Sequence, residues 1–301
     1  MLIFASYLLL ISNFSSMRNY KKLNNLIGWG VWLIATVVYF LTIEPTASWW
    51  DCGEYIATSY KLQVGHPPGA PLFQLLARIF SLFALGDSSK VALMINSMSA
   101  LSSSFTILFL FWSITILAKK AVLLGGEMTP PKMIAIFGSG VVGALAYTFS
   151  DSFWFSAVEG EVYAMSALFT AIVFWAILRW EEEEEQPHSA RWLLLIAYLV
   201  GLSIGVHMLN LLAIPAIVFV FYFKKYQPTF KGMLAAGVIS IVLLSVVMYV
   251  IIPEIVNLFA HTEMLFVNTF GLPFNSGTIF LAIILLANVV MFVKATQNAN
   301  T

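Results

Sequence analysis

Asp51 and Glu54 stand three residues apart in the segment EPTASWWDCGEYIATSYKLQVGHPPGAP, residues 44–71. One helical turn would bring both carboxylates to a common face. Trp50 and Tyr55 flank them, and His66 precedes a double proline. Carboxylates set among rings suit a polyhydroxylated ligand, because sugar hydroxyls donate to acids while the apolar faces of sugars pack on indole and phenyl groups. The same groups also suit a cation. A second segment, FSDSFWFSAVEGEVYAM at 149–165, carries the same chemistry without repeating the sequence: Asp151, Glu159 and Glu161 lie among Trp154, Phe155 and Tyr163. A third, GLSIGVHMLN at 201–210, places His207 and Asn210 inside an apolar run.

The elements that must position these groups are membrane helices. The chain is 60% hydrophobic and 10% charged, with a mean hydropathy of +0.89, far outside the range of a soluble globular domain. Its 15 basic and 15 acidic residues cancel, so overall charge gives no reason to expect a nucleic-acid partner. The single cysteine, Cys52, excludes an intrachain disulfide and a cysteine zinc cluster. Apolar runs of spanning length lie at 26–43, 91–118, 133–150, 162–180, 192–223, 232–252 and 278–293. Residues 1–25 read as a cytoplasmic N-terminal segment, with Met17, followed at once by Arg18, as a candidate true start. Residues 26–295 read as one transmembrane domain, the N-terminal part of a longer protein.

Lysine and arginine set the orientation. With Arg18, Lys21 and Lys22 cytoplasmic, the first helix runs outward and the Asp51 segment emerges outside. Residues 66–86 are long enough to cross, but a span would bury Arg78 at a cost of ~2.5–3.5 kcal/mol. Gln74, Arg78 and Ser81 share one face of this stretch, so an amphipathic helix at the outer interface is expected instead. That choice also keeps Lys119, Lys120 and Lys132 inside. The 32 residues of 192–223 must cross an even number of times, since Arg191 before them and Lys224 and Lys225 after them all prefer the cytoplasm. Two helices of about 15 residues reach only ~22 Å each, so their junction is expected below the outer surface, with His207 and Asn210 facing a watery cavity. The outcome is an all-α protein of about eight crossings. Of its basic residues only Lys61, Arg78 and Lys90 lie outside, and Asp51, Glu54, Asp151, Glu159 and Glu161 share that external side. Glu44, Asp87, Glu254 and Glu263 read as solvated loop caps, and Glu181–Glu185 as a solvated helix end.

The chain carries no phosphate-cradling glycine loop, GxSxG elbow or HExxH pair, which leaves nucleotide hydrolysis and common hydrolase mechanisms without support. The order of one helix, an acidic external loop, a proline-led interfacial helix and a further bundle resembles the GT-C class of membrane glycosyltransferases. The motifs WWDCGEYIATSYKLQVGHPPGAPLF, SDSFWFSAVEGEVYAM and GLSIGVHMLN are similar to a bacterial family, common in Bacteroidetes, related to vertebrate transmembrane O-mannosyltransferases. The resemblance covers roughly residues 20–295.

It implies transfer of a sugar, mannose, from a polyprenyl-phosphate donor in the membrane to an acceptor hydroxyl of a protein or glycan, on the periplasmic face of a bacterial inner membrane. Asp51 is then the general base, and Glu54 holds the acceptor or orients Asp51. Lys61, Arg78 or His207 neutralises the leaving phosphate. His66, Asn210, Trp50, Tyr55, Asp151, Trp154, Glu159, Glu161 and Tyr163 remain candidates for substrate contact. A divalent metal is compatible with so many carboxylates, and the resemblance leaves it open. A broken-helix transporter and a noncatalytic scaffold are the rival classes. The gathering of acids at one face, away from the midplane, argues against the first.

Overall fold

The computed structural model describes residues 2–298 and, among them, contains helices and no strand. The helices are α1 Leu2–Leu41, α2 Cys52–Lys61, α3 Pro71–Ser81, α4 Val91–Leu123, α5 Pro130–Thr148, α6 Asp151–Val158, α7 Val162–Glu183, α8 Ala190–Ile204, α9 Ala213–Lys225, α10 Phe230–Val246, α11 Ile252–Met264 and α12 Ser276–Asn298. Seven helical stretches among the described residues are long and apolar enough to cross a membrane. The eighth expected crossing corresponds to α8, a 15-residue helix below that length. The chain divides into two compact units, one of the described residues up to Arg179 with Leu195–Ala213, the other of Trp180–Leu194 with the described residues from Ile214 onward.

In the first unit α4 is the central post, packed by α1, α5 and α6. Its buried face is rich in small residues, Ala100, Ser103, Ser104 and Thr115 among them, which let neighbouring backbones approach. Glycine makes the closest approaches: a Cβ on Gly140 of α5 would lie 2.7 Å from Thr115 Cγ2 and 2.8 Å from Phe111. Val31, Ala35 and Tyr39 of α1 fill the other side, with Tyr39 donating its hydroxyl to the Thr148 carbonyl at 3.0 Å.

Between the first two candidate spans lie α2 and α3; α3 falls within the helix expected at 66–86, and α2 adds a second short helix within the expected acidic loop. The polar face of α3 is seated on α2, where Gln74 Nε2 donates to Thr58 Oγ1 at 2.8 Å and the Arg78 guanidinium lies 5.2 Å above the Tyr60 ring. Phe73 and Ala77 are fully buried, whereas Leu75, Ile79, Leu82 and Phe83 remain exposed, an apolar face suited to lipid. Pro71 opens α3 at a position where no N–H is needed. The next two N–H groups, of Leu72 and Phe73, donate to the Gly205 carbonyl at 2.8 and 3.3 Å. The break after α8 therefore caps α3. A side chain at Gly205 would meet Leu72 Cβ at 3.0 Å, so glycine permits the close approach.

The predicted break at 201–210 is present: α8 ends at Ile204, His207 is extended, and Met208–Leu212 form a 3₁₀ turn before α9. Asn210 corrects an expectation. It is 3% exposed and faces α7, accepting hydroxyl protons from Ser166 at 2.8 Å and Thr170 at 2.9 Å instead of facing a watery cavity. A buried amide needs such partners, and two hydroxyls one helical turn apart supply them.

In the second unit, residues 230–269 are helical throughout. Glu254 and Glu263, expected in a loop, lie on α11 or its junction. Pro253 does not break the rod because it sits in the first turn of α11, directly after a π turn at Val247–Ile251. Glu263 has a structural task, accepting from the N–H groups of Asn275 at 2.6 Å and Thr278 at 2.8 Å and so joining α11 to α12. The glutamate run at the end of α7 is also more than a solvated end. Glu183 accepts from Trp192 Nε1 at 2.8 Å, and Glu184 pairs with Lys225.

Candidate functional site

The link between α1 and α2 is pinned to the segment around α6, which brings the first two acidic motifs together. Glu44 N–H donates to the Val158 carbonyl at 3.1 Å, and Trp154 Nε1 donates to Thr42 Oγ1 at 2.9 Å. Ser48 Oγ donates to Glu159 Oε2. From beneath, Asn96 of α4, wholly buried, donates to the carbonyls of Glu44 at 2.6 Å and Thr46 at 3.0 Å. Gly160 completes the seam, for a Cβ there would lie 2.8 Å from Asn96 Oδ1 and 3.0 Å from Ile95.

Asn96→Leu is expected to cost roughly 1–3 kcal/mol, because it strands two loop carbonyls. Faster proteolytic nicking between residues 42 and 51, together with a lower melting temperature in detergent, checks this. An unchanged nicking rate counts against the pinning role.

The chain then turns through Trp50, whose φ of 57° is left-handed and unusual for a bulky residue, a strain that clusters at functional sites. Trp50 is 89% exposed. Asp51 follows at the N-cap of α2, yet its carboxylate makes no capping bond. It faces His66, with Oδ2 3.8 Å from Nε2. Glu54 holds the other side of that ring at 3.2 Å and accepts the His66 backbone N–H at 2.7 Å. The backbone bond is the main cause that holds the Glu54 carboxyl below its usual range, followed by the imidazole. Glu54 is thus a positioning group that fixes His66 against Asp51. The three residues offer one ligand atom each within 4.8 Å of one another, a donor set of two carboxylates and an imidazole that fits a divalent cation.

Beside this trio lies a cavity of about 290 Å³ lined by Trp50, Asp51, Phe155, Ser156, Glu159, Glu161 and Tyr163. Glu159 and Glu161 are 3% and 7% exposed. Burial is the largest cause raising both carboxyls, and Glu161, further raised by the nearby Glu159 and Asp51, is pushed up to about 7. One end of the helical bundle therefore presents an exposed carboxylate, two buried carboxyls of which Glu161 is pushed up to about 7, and three rings around an opening.

Other candidates sit elsewhere. Tyr55 is buried beneath the trio, edge-on to Phe73 at 5.3 Å. Trp154 is a tether, as its bond to Thr42 shows. Asp151 starts α6, exposed and away from the cavity lining, where its charge suits the helix N-terminus. Lys61 is exposed at the end of α2, and Arg78 is engaged with Tyr60 and with Ser81 Oγ at 3.2 Å, so neither lines the cavity. His207 lies one ring further out, 5.4 Å from Tyr163, and its Nδ1 accepts the Leu209 N–H at 3.2 Å. Sequence reasoning missed Ser48, Ser156 and Asn96. A lone asparagine in the apolar run of α4 was the available signal for the last.

These features define a polytopic all-α membrane protein with an acid and aromatic cavity at one end of its helices. Residues 51–230, more than half of the chain, match the family described as the Protein O-mannosyl-transferase TMEM260 N-terminal domain, and the chain belongs to that family. It is 28% identical to "Protein O-mannosyl-transferase tmem260" of Dictyostelium discoideum over 195 residues, covering 62% of this chain and 22% of that protein. It is 26% identical to "Protein O-mannosyl-transferase TMEM260" of Mus musculus over 175 residues, covering 58% and 22% respectively. The chain thus spans about a fifth of the length of these relatives. No solved structure matches it.

Proposed function

We propose that this chain carries the sugar-transfer site of a membrane O-mannosyltransferase, moving mannose from a polyprenyl-phosphate donor to a hydroxyl of a protein Ser or Thr at the external membrane face. The names of the relatives support mannosyl transfer to protein. The observation that carries the reading is the Asp51 carboxylate: unused by its helix cap, it opens on a cavity walled by Trp50, Phe155 and a buried carboxyl.

In the step itself Asp51 takes the proton of the acceptor hydroxyl as its oxygen bonds to the anomeric carbon. The bond from that carbon to the phosphate oxygen breaks, and the phosphate leaves with the electron pair. His66, fixed by Glu54, faces Asp51 and orients it. Trp50 and Phe155 stack on the sugar or on the acceptor. Of the groups considered for the phosphate, His207 has the best support as a neutral donor through Nε2–H, since its Nδ1 accepts the Leu209 N–H and Tyr163 links it to the cavity, while Arg78 is engaged elsewhere. A divalent cation, where bound, would be held by Asp51, Glu54 and His66 and would supply positive charge toward the phosphate.

The test is a reconstituted assay: protein purified in lipid, mannosyl-phosphoryl polyprenol, and a Ser/Thr peptide. Mannosyl peptide is the expected product. A well-folded protein that retains the donor intact with every hydroxyl acceptor offered would overturn the proposal.

A further inference from the structure

A second cavity, of about 630 Å³, opens between α4, α5 and α7, all three within candidate spans. It shares Tyr163 with the acid cavity. Along α7 its lining runs from Tyr163 to Phe174, about 16 Å at the helical rise, or half of a ~30 Å hydrocarbon core. Its walls are apolar: Leu110 and Ile114 of α4 face Ala167, Ala171 and Phe174 of α7.

Three hydroxyls also line it, but each is spent inside the protein. Thr106 donates to the Ser102 carbonyl at 2.9 Å, while Ser166 and Thr170 donate to the buried Asn210 at 2.8 and 2.9 Å. Only Tyr147, at the last turn of α5, and Tyr163, at the first turn of α7, make no side-chain hydrogen bond among the described residues. Both stand at the end shared with the acids. Gly143, also in the lining, lets α5 close on α4 at the groove wall, since a Cβ there would lie 2.7 Å from Ile114 Cδ1.

An apolar trough with unspent polar groups at one end matches an amphiphile. We propose that the groove holds the hydrocarbon chain of a lipid phosphate, with its head between Tyr147, Tyr163 and the acid cavity. On the function proposed above, that chain is the donor's polyprenyl tail. The bound lipid therefore enters from between α5 and α7, and chain length contributes to affinity through the groove while the head is read by the acids. Ala171 is the natural place to fill the trough, because it lines the groove and lies outside both buried core clusters.

The experiment measures binding of long-chain polyprenyl phosphate, without sugar, to the full chain in nanodiscs, so its outcome does not depend on transfer. Ala171→Phe is expected to weaken that binding about tenfold, and Ala171→Leu by less. Both variants should bind a short, water-soluble isoprenyl phosphate as the parent does. A photoreactive polyprenyl phosphate should label α4, α5 and α7. Labelling confined to other helices, equal competition by phosphatidylglycerol, or unchanged long-chain binding by a folded Ala171→Phe protein would each overturn the proposal. Binding without any transfer would leave the groove assignment standing and remove the donor's role.

Discussion

Asp51→Asn is expected to lower sugar transfer by about 10²–10⁴-fold, the usual contribution of a positioned base, while the protein folds and inserts normally. The fold loses little because this carboxylate is not spent on it. Asp51 makes no side-chain cap to α2, and its carbonyl, which the substitution keeps, already accepts the Tyr55 N–H at 2.9 Å. Asparagine fills the same volume and can still meet His66, so the cavity keeps its shape. What disappears is the capacity to take a proton at the mouth of the cavity. Turnover with lipid-linked mannose, beside a melting curve in the same lipid, separates the two effects. Unchanged turnover in a normally melting Asp51→Asn protein removes the assignment.

Glu54→Gln provides the matching comparison. The backbone N–H of His66 could still be accepted, but the charge that anchors the imidazole is lost. A smaller loss, accompanied by a shift in the pH profile, is expected of a positioning residue, in contrast with the near-complete loss at Asp51.

The helical class and most of the spans were legible because composition and apolar runs state them directly. The expectation that α3 does not span rested on one arginine and two prolines, and α3 is a helix below spanning length with one apolar face exposed. The broken 192–223 run was legible from length and charge parity alone. Other features depended on contacts between distant residues, which a single sequence does not display. The polar stripe of α3 could be read as a face, but not as a face turned toward Thr58 and Tyr60. Asn210 looked like a water-facing polar group and is a buried tether, because Ser166 and Thr170 lie 44 and 40 residues away in the chain. The helical course of 253–264 was hidden by a proline that a π turn accommodates.

For the site, chemical type was visible and partition was not. Both acidic motifs could be placed on one face, but which carboxyls are exposed, which are buried and which are occupied by backbone emerges only from the bonds of Ser48, Asn96 and His66. That partition is what turns five similar acids into distinct roles.

Glu161 shows the consequence. Its carboxyl is pushed up to about 7, first by burial and then by the charges of Glu159 and Asp51. Below that pH it is neutral and shares its proton in a hydrogen bond with Glu159; above it, a further negative charge joins those of Glu159 and Asp51 where the phosphate of the proposed donor would leave. Transfer is therefore expected to fall above a bend near pH 7, by about tenfold per pH unit once a required proton is lost. Glu161→Gln, which mimics the protonated acid, should keep activity below the bend and abolish the alkaline fall. The stability trend has a definite sign as well. The folded state holds a proton between the ordinary value of 4.5 and about 7, whereas the unfolded chain has released it, so stability contributed by this group declines as pH rises through that window. The Gln variant should flatten this decline in a series of melts. If Glu161→Gln instead abolishes transfer at every pH and the parent gains activity through pH 7, Glu161 is the base and Asp51 is not, which makes this pair of variants the sharpest division of labour the cavity offers.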